Sequence, residues 1–261
     1  MAKLMGIVNV TPDSFSDGGL YLDAEAAVAH GRELASQGAD IVDVGGESTR
    51  PGAKEVPADE ELARTEPVVA ALASDGIPVS IDTSKAHVAE AAIAAGAAMV
   101  NDVTALRADP GLAGLCADRG CEVVLMHMLG TPRTMQDAPE YDDVVDDVRA
   151  FLAERVQAAV DSGIAEERIW VDPGIGFGKT VEHNLELLRR LGELRDLGRP
   201  IAVGTSRKSF LGRLTGREVT ERLGGTIASN VLALRAGAGA LRVHDVREVA
   251  DAAKVAAAIS G

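Results

Sequence analysis

The feature that most limits the fold of this 261-residue chain is an eightfold change of period. Short apolar runs rich in Val and Ile alternate with longer stretches at helical spacing. The runs cover 4–10, 40–44, 78–82, 98–103, 122–127, 169–172, 201–204 and 240–243. They lack alternation between apolar and polar positions, as expected of parallel strands covered on both faces. Helical patterns fall over 24–37, 141–162, 184–197, 226–236 and 246–259. In 141–162, Val144, Val145, Val148, Phe151, Leu152, Val156, Ala159 and Val160 make one stripe at three- and four-residue spacing. Asp23 reads as the N-cap of 24–37 and Gly38 as the residue that ends it. Strands alternating with helices predict parallel βαβ units. Eight of them predict a closed (β/α)8 TIM barrel, with an open doubly wound sheet as the runner-up. The length is close to the roughly 250 residues of such a barrel. No linker or low-complexity segment interrupts it, so residues 1–261 read as a single domain.

Net charge is −14. That argues against a general binder of nucleic acid or of anionic membranes, and leaves room for a local cationic cleft. Cys116 and Cys121 sit in or beside apolar segments and read as reduced, buried thiols. No apolar run reaches the ~18 residues needed to span a bilayer. The chain opens straight into a strand without a secretory leader, so a cytoplasmic location is expected.

The strand ends carry the chemistry. Asn9 follows the first, Glu47-Ser-Thr-Arg50 the second and Asp82 the third. Asn101 and Asp102 stand at the fourth, His127 at the fifth and Asp172 at the sixth. Thr205-Ser-Arg-Lys208 follows the seventh and Arg242-Val-His244 the eighth. In a barrel these positions meet at one mouth, where barrel enzymes place their active sites. Each has a bland alternative. Asn9 could cap a loop, Asp82 a helix, and Lys208 could be solvated on a helix; His127 reads as a satisfied core histidine. An amide, two carboxylates, a lysine and an Arg-x-His at five different strand ends are not scatter. The sixth strand runs into Asp172-Pro-Gly-Ile-Gly-Phe-Gly-Lys-Thr180. Pro173 stands where a Walker A loop needs glycine, and Lys179 where a dinucleotide fingerprint needs it. The loop is shaped instead for close approach to something flat or phosphorylated. No Ser/His/Asp or Cys/His arrangement is evident.

Met5-Gly-Ile-Val-Asn-Val-Thr-Pro-Asp-Ser-Phe-Ser-Asp-Gly-Gly19 and Asp43-Val-Gly-Gly-Glu-Ser-Thr-Arg-Pro-Gly-Ala53 resemble the signatures of dihydropteroate synthases. Ser80–Ser84, Val100–Val103, Leu125–Met128, Asp172–Lys179, Ser206–Gly212 and Arg242–Val246 continue the match in the family's order. The resemblance covers nearly the whole chain. That family joins 6-hydroxymethyl-7,8-dihydropterin diphosphate to p-aminobenzoate and releases diphosphate. The resemblance implies Mg2+ as cofactor, with Asn9 as its protein contact. It implies a pterin held by Asp82, Asn101, Met126, Asp172, Phe177, Gly204 and Lys208, and a diphosphate held by Asn9, Arg50, Arg242 and His244. It implies p-aminobenzoate beside Phe15, Thr49, Pro51, Phe177 and Ser209, where sulfonamides would compete. Catalytic roles fall to Asp82, Lys208, Arg242 and His244. The loops over 11–19 and 45–54 are expected to close over bound pterin, and the assembly is expected to be a homodimer. A pterin-binding methyltransferase domain and a non-enzymatic pterin-binding paralogue are the rivals. The first would not need Thr49-Arg50, Ser206–Lys208 or Arg242–His244, and the second would have lost Asp82 or Arg242.

Overall fold

Runs of Val and Ile become strands here because both of their faces are covered. The computed structural model describes residues 2–11, 19–49 and 52–260. The strands are β1 (Lys3–Asn9), β2 (Ile41–Gly45), β3 (Val79–Asp82), β4 (Met99–Asp102), β5 (Glu122–Met126), β6 (Ile169–Asp172), β7 (Ala202–Val203) and β8 (Ala240–Val243). Every residue of β2, β3, β4 and β6 is buried. All neighbours pair in parallel, in the order β6-β5-β4-β3-β2-β1-β8-β7. A bridge between Val171 and Ile201 joins the two ends of that order. The expected barrel is therefore what forms, and the open sheet is excluded.

The helices are α1 (Gly19–Ser36), α2 (Ala58–Ser74), α3 (Ala86–Ala94), α4 (Pro110–Arg119), α5 (Val144–Asp161), α6 (Val181–Arg189), α7 (Ser209–Thr215), α8 (Leu223–Arg235) and α9 (Val246–Ser260). Local chemistry sets several of their ends. The Asp143 carboxylate accepts from the N–H groups of Val145 and Asp146, so α5 starts after it and not at 141. Asp109 caps α4 ahead of Pro110, and Gly120 ends that helix in the left-handed conformation.

Two further expectations need correction. Asp23 is not an N-cap, because α1 already starts at Gly19. The pattern over 184–197 is not one helix. A capping box of Thr180 and His183 starts α6 earlier, at Val181. The helix ends at Arg189, and Leu191–Leu197 continues as 3-10 turns to Gly198. There Leu191 and Leu194 stay buried, so apolar spacing alone reads through the break.

The core has two parts. Most of it lies between the barrel and its helices. Inside the barrel, Met5, Ile41, Met99, Val124, Trp170, Ala202 and Ala240 form an apolar layer. Trp170 Nε1 donates to Glu122 at 2.6 Å, which satisfies the one polar atom of that ring. One strand position pair further along, the inward residues turn polar, and the site begins. Cys116 and Cys121 are buried free thiols, as expected.

Candidate active site at the barrel mouth

Strand register brings the polar residues to one level. Asn9 pairs with Gly45, Gly45 with Asp82, and Asp82 with Asn101. On the far side Met126 pairs with Asp172. Asp82, Asn101, Met126, Asp172, Phe177, Gly204, Lys208 and Arg242 line one cavity together with Thr49 and Val103. Asn9, Ser209 and His244 are not among its lining residues. Phe15, Arg50 and Pro51 lie outside the described residues.

One wall is a buried charge triad. Arg242 Nε donates to Asp43 at 2.5 Å and Nη2 donates to Asp82 at 2.6 Å. Asn101 Nδ2 donates to the same Asp43 oxygen at 3.1 Å. Burial pulls the Arg242 guanidinium down, but Asp43 and Asp82 more than offset it and hold it firmly charged. Burial pushes the Asp82 carboxyl up to about 7, against the pull of Arg242. Asp43 was missed in the sequence. Its one signal is a carboxylate in the middle of an apolar strand, Ile41-Val42-Asp43-Val44. Val103 was missed too, and an apolar residue just past a strand end carries no signal.

The opposite wall is the glycine loop. Asp172 accepts from the Gly174 N–H at 2.6 Å and is raised by burial, with Lys208 opposing. Gly174 has φ +66°, and a Cβ there would stand 1.9 Å from the His127 carbonyl oxygen. Only glycine fits that approach. Lys208 is the N-cap residue of α7, but its side chain turns inward to line the cavity and is only partly exposed. Its ammonium donates to the Ile175 carbonyl and lies 4.7 Å from the centroid of the Phe177 ring. Burial lowers Lys208 to about 8, even with Asp172 beside it.

Behind this loop, Lys179 is almost fully buried. Its ammonium donates to Phe177 O at 2.9 Å and lies 2.9 Å from His127 Nδ1. Burial holds Lys179 well below its usual pKa. Burial first, then Lys179, drives His127 down to about 2. His127 is thus the satisfied core histidine expected of it, and Lys179 supports the backbone that carries Phe177. At the rim, His244 Nδ1 lies 3.0 Å from Ser206 Oγ. Among the described residues no three acidic, histidine or cysteine groups converge as a metal cage.

A parallel barrel with paired carboxylates, a lysine and an arginine around one apolar-walled cavity defines a class: barrel enzymes that hold a flat, polar-edged heterocycle. The pterin binding enzyme family matches residues 5–244. The chain is 47% identical to the dihydropteroate synthase of Escherichia coli, over 97% of its own length and 89% of that relative. It is similar in structure to a Xanthomonas albilineans dihydropteroate synthase solved with 4-aminobenzoic acid. The TM-score is 0.94 and the identity 52%, over 100% of this chain and 93% of the other. The same organism's synthase in complex with 7,8-dihydropteroate gives 0.91 and 49%, over 100% and 94%. Within the pterin-binding enzymes, the chain belongs to the dihydropteroate synthase family.

Proposed function

We propose that this cavity joins 6-hydroxymethyl-7,8-dihydropterin diphosphate to p-aminobenzoate, and that the charges on its walls drive the reaction. The carrying observation is the split of charge: Asp172 and Asp82 face one space that Lys208 and Arg242 also enter. The pterin ring presents an amino group flanked by a ring N–H, a fork that a carboxylate accepts. Asp172 keeps acceptor capacity for that fork beside its bond from Gly174. Lys208 donates to the carbonyl side of the ring, Asn101 bonds its edge, and Met126, Phe177 and Gly204 form the apolar walls.

The bond that breaks joins the exocyclic carbon to the diphosphate. Positive charge then spreads into the pterin, and negative charge grows on the leaving group. Asp82 stabilises the cation. Arg242 and His244 stabilise the departing diphosphate, and the family resemblance assigns Arg50 and Asn9 to it as well. Fixed charges in a water-poor site are the largest contribution to such a barrier. The amine of p-aminobenzoate then attacks the carbon and loses a proton, and no strong base is required. Thr49 and Phe177 flank its ring, the family resemblance adds Phe15 and Pro51, and Ser209 bonds its carboxylate; sulfonamides compete there.

Mg2+ fits the donor chemistry of this mouth. Asn9 is a half-buried amide at a strand end and would offer Mg2+ one protein oxygen, with phosphate oxygens and water supplying the other ligands. When bound it supplies charge neutralisation for the diphosphate. The same reading includes a single catalytic domain, a cytoplasmic location and a homodimer. Support for the last is the apolar surface left by Leu232, Val255 and Ile259 on α8 and α9. No helix among the described residues is long and apolar enough to cross a membrane.

Asp82→Asn tests the chemistry. We expect kcat to fall by about 10²–10³, the usual loss for one preorganised electrostatic group, with a smaller change in pterin affinity. Loss of pterin affinity with kcat intact would make Asp82 a binding residue only.

A further inference from the structure

One charged cluster beside the cavity has no part in these steps. Lys85 lies three residues beyond Asp82, in the turn from β3 to α3. Its ammonium donates to the Glu47 carboxylate and, at 2.5 Å, to that of Glu61. Glu61 belongs to α2 and is 1% exposed, while Lys85 is 20% and Glu47 24% exposed. Glu47 stands in the second βα loop, two residues before Thr49, which lines the cavity.

The base of this loop is fastened a second time. Arg64 of α2 donates to the Gly46 carbonyl at 2.8 Å. A Cβ on Gly46 would stand 2.8 Å from Thr65 Cγ2 and 3.0 Å from the Glu61 carbonyl. The loop backbone therefore lies flat on α2 at its start. Next to it, a Cβ on Gly45 would stand 3.3 Å from that of Asp82. Lys85 joins three parts: the strand end that carries Asp82, the helix beneath the loop, and the loop that carries Thr49. A solvated ion pair contributes little. This lysine differs, because one carboxylate is fully buried and both would be left as unpaired like charges without it.

We propose that Lys85 is a positioning residue for the second substrate: by holding Glu47 against α2 it fixes Thr49 at the edge of the cavity, and so governs p-aminobenzoate recognition while leaving in place the pterin contacts proposed for Asp172, Asn101 and Lys208. This rests on the assignment of Thr49 to the p-aminobenzoate pocket. The pterin groups Asp172, Asn101 and Lys208 make none of the bonds described for Lys85, and Asp82 is bonded by Arg242 instead, although the Glu61 charge acts on it.

The test uses the full chain with Mg2+, pterin diphosphate and p-aminobenzoate. Wild type is measured first, since absence of turnover there would sink the functional reading itself and not this inference. We then compare Lys85→Met, Glu47→Gln and the double variant. KM for p-aminobenzoate should rise roughly tenfold or more in Lys85→Met, within the ~100-fold that a small misplacement of a positioning group costs. The pterin Kd, read by calorimetry without p-aminobenzoate, should stay at the wild-type value. Glu47→Gln should reproduce the KM rise, and the double variant should be no worse than Lys85→Met. Unchanged KM, or an equal rise in KM and pterin Kd, would overturn the proposal, as would additive effects of the two substitutions. If Lys85→Met does not fold, Glu47→Gln carries the same comparison, because its side chain is partly exposed and its loss leaves Lys85 paired with Glu61.

Discussion

Lys208 carries its charge in a place that penalises charge. Burial lowers it to about 8, and what opposes burial is Asp172 first and then Asp82. If its ammonium bonds the pterin, affinity must follow its proton. The sign is fixed by the direction: the folded pKa lies below the usual lysine value, so the charged form is full below about 8 and is lost as pH rises through it. We therefore expect pterin affinity to weaken on the alkaline side of pH 8, and Lys208→Met to bind weakly at every pH without that limb. Calorimetric titrations between pH 6.5 and 9.5 read this directly; wild-type affinity that stays flat across the range would take Lys208 out of the pterin contact. Most charged residues of the cavity were legible in the sequence because strand ends are where a barrel places its chemistry. Asp43 was not, since its role is to hold Arg242 from inside the strand, and a mid-strand carboxylate has no positional rule to mark it.

The loop after β6 is the element that shapes the cavity wall. Gly174, Gly176 and Gly178 all have positive φ, and the first passes so close to the His127 carbonyl that no side chain fits. Lys179 then clamps Phe177 by its carbonyl, so the ring is presented from a fixed backbone to both Lys208 and the cavity. Phe177→Ala should raise KM for p-aminobenzoate more than KM for the pterin diphosphate, because the pterin contacts proposed for Asp172, Asn101 and Lys208 would remain. Steady-state kinetics with each substrate varied in turn decides this, and equal effects on both would remove Phe177 from the p-aminobenzoate pocket. The glycine spacing announced this loop in the sequence. Its clamp was hidden, because a buried Lys179 depends on packing that only the closed barrel provides. The break between α6 and the 3-10 turns after it was hidden for a related reason: Leu191 and Leu194 keep the apolar rhythm although the backbone hydrogen bonding changes.

At the scale of the molecule, eight parallel strands were legible because both-face burial leaves unbroken Val and Ile runs, and their number pointed to closure. How firmly the barrel closes was not legible. β7 is only two residues long, and β6 meets it through the single bridge of Val171 with Ile201. β1 and β2 by contrast share a five-residue register. Local opening follows weak pairing, so amide hydrogen exchange at Ala202 and Val203 should outpace that at Ile7 and Val42; equal protection would mean that the helices outside, and not strand pairing, control the seam. Closure matters because it sets Asp172 and Lys208 across from Asp82 and Arg242, and the central claim is that these opposed charges make one reaction site. The measurement that tests it most directly mixes purified protein with Mg2+ and the pterin diphosphate, with and without p-aminobenzoate, and follows pteroate by chromatography and diphosphate by release assay. Pteroate and diphosphate should form in equal amounts, over many turnovers and only when p-aminobenzoate is present. Tight pterin binding without turnover would contradict this and leave a site that recognises the heterocycle but does not transfer it.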